Sequence, residues 1–66
     1  MIEKRKHIDI GSRVKLNDDV HMTDIIYKKG HEFTVYRGSD RGWDLVDDEG
    51  NKLDETRFIS NKLELI

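Results

Sequence analysis

The sequence contains no cysteine and no proline. Without thiols there can be no disulfide framework and no thiolate zinc site. Without proline there is no rigid polyproline segment, and no strand or helix is broken from within. Aromatic residues are few: one tryptophan, two tyrosines and two phenylalanines. No apolar run approaches the ~20 residues of a membrane span, and the start lacks the apolar stretch of a signal peptide. A soluble, cytoplasmic protein is the expectation. Charge of one sign is also missing, because 12 Lys and Arg stand against 14 Asp and Glu, a formal charge of −2. That balance argues against the global positive excess of a typical nucleic-acid binder.

What the 66 residues do contain is short-range alternation. They make one domain, near the lower size limit for folding without covalent staples. Lys4-Arg-Lys-His7 reads as part of a flexible basic arm over residues 1–7, followed by a domain over 8–66. Ile8, Ile10, Val14 and Leu16 alternate with polar residues, interrupted by Gly11-Ser12, which predicts a bent or bulged first strand. Val20 to Tyr27 reads as a long loop with Ile25 or Ile26 plugging one end. Lys28-Lys-Gly30 closes a turn, and Glu32 to Arg37 is the clearest strand, rich in residues that suit a pleated surface. Gly38 to Gly42 predicts a bulged hairpin loop, Trp43 to Asp47 the returning strand, and Asp48 to Asn51 a tight turn. Lys52 to Ile59 predicts a further strand, Ser60 to Lys62 a 3-10 turn, and Leu63 to Ile66 the last strand. The expected core is Val14, Leu16, Phe33, Val35, Trp43, Leu45, Leu53, Phe58, Leu63 and Leu65. Five short strands without a substantial helix predict an all-β fold, a small five-stranded barrel with a long first loop and a 3-10 turn before the last strand.

The segments Ile10-Gly-Ser-Arg-Val-Lys-Leu16, Lys29-Gly-His-Glu-Phe-Thr-Val35, Trp43-Asp-Leu-Val-Asp-Asp-Glu-Gly50 and Lys62-Leu-Glu-Leu65 together resemble the small SH3-like barrel proteins of bacteria, phages and mobile elements. The Lys29-Gly30 turn before a strand ending in Val35 also looks like the edge of a KOW-type module. Those modules carry a further glycine just after, where this chain has Glu32-Phe33. The resemblance implies an SH3-like barrel from Ile8 to Ile66. Fold analogy alone assigns no ligand.

Catalytic chemistry has little to work with. Ser12, Ser39 and Ser60 fall in predicted turns, and none has a histidine positioned by a local signature to activate it. His7, His21 and His31 lack the close spacing of metal ligands. Asp47-Asp-Glu-Gly-Asn51 has the composition of a calcium loop but is too tight for alternating ligands, and a hairpin turn explains the same residues. No enzyme, cofactor or metal is expected.

The remaining reading is a protein-interaction module acting as an accessory or regulatory factor. Its candidate contact residues are Tyr27, Tyr36, Arg37, Arg41, Asp44, Asp47 and Asp48, which combine aromatic faces with acids able to steer a basic partner. Trp43 alternates with Leu45 and belongs to the core by that pattern. The alternative is binding of RNA or single-stranded DNA through Lys4, Arg5, Lys6, Lys28, Lys29, Arg37 and Arg41 beside Tyr36, where stacking and phosphate contacts would combine. Open sheet edges allow either a monomer or a weak homodimer.

Overall fold

A computed structural model describes residues 8–66. The arm expected over 1–7, with Lys4, Arg5 and Lys6, lies outside the described residues. The alternation read in Val14 and Leu16 is realised in β1 (Arg13–Leu16), where both side chains are fully buried. β1 lies between two antiparallel neighbours. On one side it pairs with β4 (Glu32–Ser39), Val14 opposite Phe33. On the other it pairs with β7 (Leu63–Leu65), with Val14 opposite Leu65 and Leu16 opposite Leu63. β4 continues to β5 (Gly42–Val46), and β5 to the two-residue β6 (Lys52–Leu53). The sheet order is therefore β6-β5-β4-β1-β7, open at β6 and β7, and neither sheet closes into a barrel.

The long loop expected over Val20–Tyr27 is instead a second, two-stranded sheet of β2 (Val20–His21) and β3 (Ile26–Tyr27). Register decides its burial. Val20 opposes Tyr27 and both face the core, whereas His21 opposes Ile26 on the outer side. Ile25 and Ile26 are consequently 40% and 50% exposed, and Tyr27 takes the plugging role given to them. Its ring meets Phe33 edge-on with centroids 5.2 Å apart, a favoured aromatic geometry.

The strand expected from Lys52 to Ile59 ends at Leu53. Glu55 adopts a left-handed backbone with φ 55°, which turns the chain off the sheet into a 3-10 helix over Thr56–Lys62, kinked at Ile59. A 3-10 helix repeats every three residues, so Thr56 and Ile59 both face inward. Phe58 falls on the outer side, 62% exposed, and leaves the core expected for it. The finished core comprises Val14, Leu16, Val20, Tyr27, Phe33, Val35, Leu45, Leu53, Ile59 and Leu63, with Trp43 and Leu65 packed partly against it. Among the described residues, no helix is long and apolar enough to cross a membrane.

The hairpin between β4 and β5 is tighter than its glycines suggest, with Ser39 opposite Gly42 and only Asp40-Arg41 between the strands. Both glycines are there for close approach. A Cβ on Gly38 would lie 2.5 Å from Trp43 Cζ3, so the indole covers the bare backbone of the opposite strand. A Cβ on Gly42 would lie 2.4 Å from the backbone nitrogen of Arg57, and Gly42 also has φ +100°. Gly42→Ala should therefore force β5 and the 3-10 helix apart and lower the thermal midpoint by more than about 8 °C. Gly30→Ala, with φ +90° but nothing within 4 Å, should lose only backbone strain, about 1 kcal/mol or about 4–8 °C. Thermal unfolding followed by circular dichroism compares the two, and equal losses would refute the packing role of Gly42.

Candidate functional site

Three hydrogen bonds fasten the 3-10 segment across the start of β5, and a fourth ties β4 to the same point. Arg57 N–H donates to Arg41 O at 3.0 Å, and Thr56 Oγ1 donates to Trp43 O at 2.7 Å. Glu55 N–H donates to Asp44 Oδ1 at 2.8 Å, while Arg37 Nε donates to Asp44 Oδ2 at 2.6 Å. Asp44 is thus buried with both oxygens occupied. The Glu55 N–H, followed by Arg37, holds its carboxyl below the ordinary carboxylate range against the opposing effect of desolvation.

The outer surface of this junction carries the candidate site. Tyr36 is the extra residue of a β-bulge, because the register passes from Val35–Leu45 to Arg37–Asp44. Its hydroxyl donates to Asp54 Oδ1 at 2.6 Å, and this carboxylate neighbour raises the phenol pKa. Lys52 and Arg37 lie over the Tyr36 ring at 5.3 and 5.8 Å. Next along the chain, Glu55 accepts from Arg41 at 3.1 Å. An open depression of about 470 Å³ then follows, lined by Arg41, Glu55, Arg57 and Phe58. Arg57 donates to Asp40 O at 3.4 Å, longer than an ordinary hydrogen bond. No other hydrogen bond and no carboxylate reaches its guanidinium among the described residues.

The far end of β5 is acidic. Asp47 is buried and collects four donors: the N–H groups of Glu49 and Asn51 on Oδ1, and Asn51 Nδ2 and His31 Nε2 on Oδ2. Burial alone would raise its pKa, but these hydrogen bonds win and lower it to about 2. Beside it, Arg13 bridges Glu32 and Asp48, each at 3.0 Å. A smaller depression of about 210 Å³ is lined by His31, Glu32, Asp47, Asp48 and Glu49. Both oxygens of Asp47 are thus occupied by hydrogen bonds from its own turn and from His31.

The residues singled out in the sequence fall into three groups. Tyr36, Arg37 and Arg41 meet around the Asp44–Glu55 junction. Tyr27, Asp44 and Asp47 are 3%, 3% and 7% exposed, so they hold the fold together and offer no contact surface. Asp48 is exposed, but at the other end of β5 from Arg41. Lys28 and Lys29 precede β4 whereas Arg41 follows it, so an eight-residue strand, roughly 25 Å long, separates the cations expected to share one rim. Arg57, Phe58, Glu55 and Asp54 were not among the candidates. A strand through Ile59 would put Phe58 on the same face as Thr56; only the three-residue period, which brings Thr56 and Ile59 together, turns it outward.

Comparison with protein-family models, curated proteins and solved structures gave no match in any of the three. Two of the three serines have local duties: Ser12 Oγ accepts from Asp9 N–H and Ser39 Oγ from Arg41 N–H. Among the described residues, no three His, Cys, Asp or Glu side chains gather to hold a metal ion.

The Asp47 cluster gives a pH prediction. Its pKa is about 2 folded against an ordinary value of 3.8, so its stabilisation is fully present above about 4 and is lost as pH falls towards 2. Urea midpoints measured at pH 6, 3 and 2 should decline steeply in this window. Asp47→Ala should be less stable at pH 6, and its decline from there to pH 2 should be shallower. A parallel decline in both proteins would refute the role of Asp47.

Proposed function

We propose that this chain is an SH3-like, non-enzymatic protein-interaction module. Its contact face is the surface where the β4–β5 hairpin meets the 3-10 helix. The fold part of this reading is supported by the strand order β6-β5-β4-β1-β7, the long excursion between β1 and β4, and a 3-10 helix before the last strand. The observation that carries the functional part is Phe58. A large aromatic side chain is left 62% exposed at the edge of an open depression flanked by Arg41 and Arg57. Aromatic and arginine side chains are the residue types that dominate binding energy at protein interfaces. Acting this way, the module would occupy a partner's surface as an accessory or regulatory factor.

The nucleic-acid alternative is less well supported. Arg37 is held by the buried Asp44, so this cation is already neutralised where phosphate would need it. Lys28 and Lys29 stand at the opposite end of β4.

The test takes a partner captured from host lysate, identified, purified and titrated back onto the pure protein. The Arg57→Glu/Phe58→Ser double variant should lose about tenfold or more in affinity while keeping the wild-type thermal midpoint. Unchanged affinity would refute this face. A parallel titration with mixed RNA and single-stranded DNA oligomers at low salt should leave the backbone amide spectrum unmoved; salt-sensitive shifts at Tyr36, Arg37 and Arg41 would replace the reading with the nucleic-acid one.

A further inference from the structure

We infer that the segment received by this face is acidic, placing a carboxylate on the Arg57 guanidinium beside an apolar side chain that lies on Phe58. The inference rests on the interaction-module reading and adds the chemistry of the partner. For this face it reverses the expectation, drawn from Asp44, Asp47 and Asp48, that the partner would be basic.

Charge is segregated along β5. At its start the depression is lined by two arginines, one glutamate and Phe58. At its end the depression is lined by four carboxylates and His31. The depression at Phe58 thus has one carboxylate in its lining where the remote one has four. Three of the four carboxylates near Phe58 are engaged: Asp44 is buried between Arg37 and the Glu55 N–H, Asp54 accepts from Tyr36, and Glu55 accepts from Arg41. Asp40 lies at the rim and contributes its carbonyl oxygen to Arg57.

The arginines are available to different degrees. Arg57 has only its long contact to Asp40 O to give up. Arg41 pairs with Glu55, but both side chains are more than half exposed. Such a pair is weakly held and exchanges readily with an incoming carboxylate. A guanidinium presents a planar fork that fits a carboxylate with two parallel hydrogen bonds.

The backbone under this pair is fixed before any partner arrives. Arg57 N–H is bound to Arg41 O, and the absent Cβ of Gly42 lets the two backbones touch. A preorganised platform loses little entropy on binding. The other exposed large apolar residues, Ile10, Ile25, Ile26 and Ile66, do not line this depression, and Phe58 is its one large apolar contribution.

Blocked synthetic peptides test this directly. One carries Asp-Glu-Leu-Asp between glycines, a second Asn-Gln-Leu-Asn, and a third Asp-Glu-Gly-Asp. Each is titrated onto the isotope-labelled protein, followed through the backbone amides of Arg41, Glu55, Arg57 and Phe58. The first peptide should move these amides and bind about fivefold or more tightly than either control, with affinity falling as salt rises. Arg57→Gln should weaken it about fivefold and Phe58→Ser about tenfold, both at an unchanged thermal midpoint. Equal binding of the neutral peptide, or no response at these amides to any peptide, would overturn the inference. If a purified partner still depends on Phe58 in that case, the interaction-module reading stands and only the acidic chemistry fails. Shifts that grow with protein concentration in the absence of peptide would also overturn it, by assigning the face to the acidic end of a second copy.

Discussion

Asp44 is the constraint on which the rest of this structure depends. One carboxylate group accepts from β4 through Arg37 and from the turn after β6 through the Glu55 N–H. It thereby holds Glu55 in a left-handed conformation that a residue with a side chain adopts reluctantly. That conformation directs the chain away from the sheet and starts the 3-10 helix at Thr56. The helix then covers Ile59 on its inner side and presents Phe58 on its outer side. A carboxylate taken from water is tolerable only when its oxygens are satisfied, and here the satisfying groups are the very segments that must be joined.

The same device recurs at the other end of β5 with a different outcome. Asp47 also accepts backbone N–H groups, but from its own following turn, so it shapes a local loop and joins only His31 from elsewhere. Asp44 therefore organises long-range packing and Asp47 a short-range turn. Between them, β5 carries an arginine–aromatic surface at one end and a carboxylate-rich surface at the other. This polarity, which the near-zero net charge conceals, is the basis for assigning one end to an acidic partner.

Much of the sheet was legible from alternation. β4, β5 and β7 stand close to where they were expected, and Gly30 and Gly50 take the positive φ expected of turn residues; the first strand, expected from Ile8, begins only at Arg13, because Ile10-Gly11 forms a turn that leaves Ile10 exposed. The failures share a cause. In Val20–Tyr27 the β-branched residues were visible, but the register that sends Val20 and Tyr27 inward is a property of the pairing. In Trp43-Asp44-Leu45, alternation correctly separates Asp44 from the core face, yet cannot show that a segment eleven residues later covers the other face as well. Phe58 was misplaced for the same reason: hydrophobicity suggested burial, and only the change from a two-residue to a three-residue period turned it outward. The candidate site was thus legible in Tyr36, Arg37 and Arg41 and hidden in Arg57 and Phe58, whose position depends on tertiary contact.

The strand order also has a kinetic side. β4 and β5 are joined by two residues, whereas β1 must find β7 from the opposite end of the described chain, as in the pairing of Val14 with Leu65. Closing a long loop costs more entropy than closing a tight hairpin, and that cost falls due before the distant contacts form. The β4–β5 hairpin is therefore the pairing with the least loop entropy to overcome, and β7 beside β1 the one with the most. The 3-10 helix lies between these two pairings. By docking on β5 it shortens the free chain that remains before β7, so the element that displays Phe58 also serves as a staging point for completing the fold.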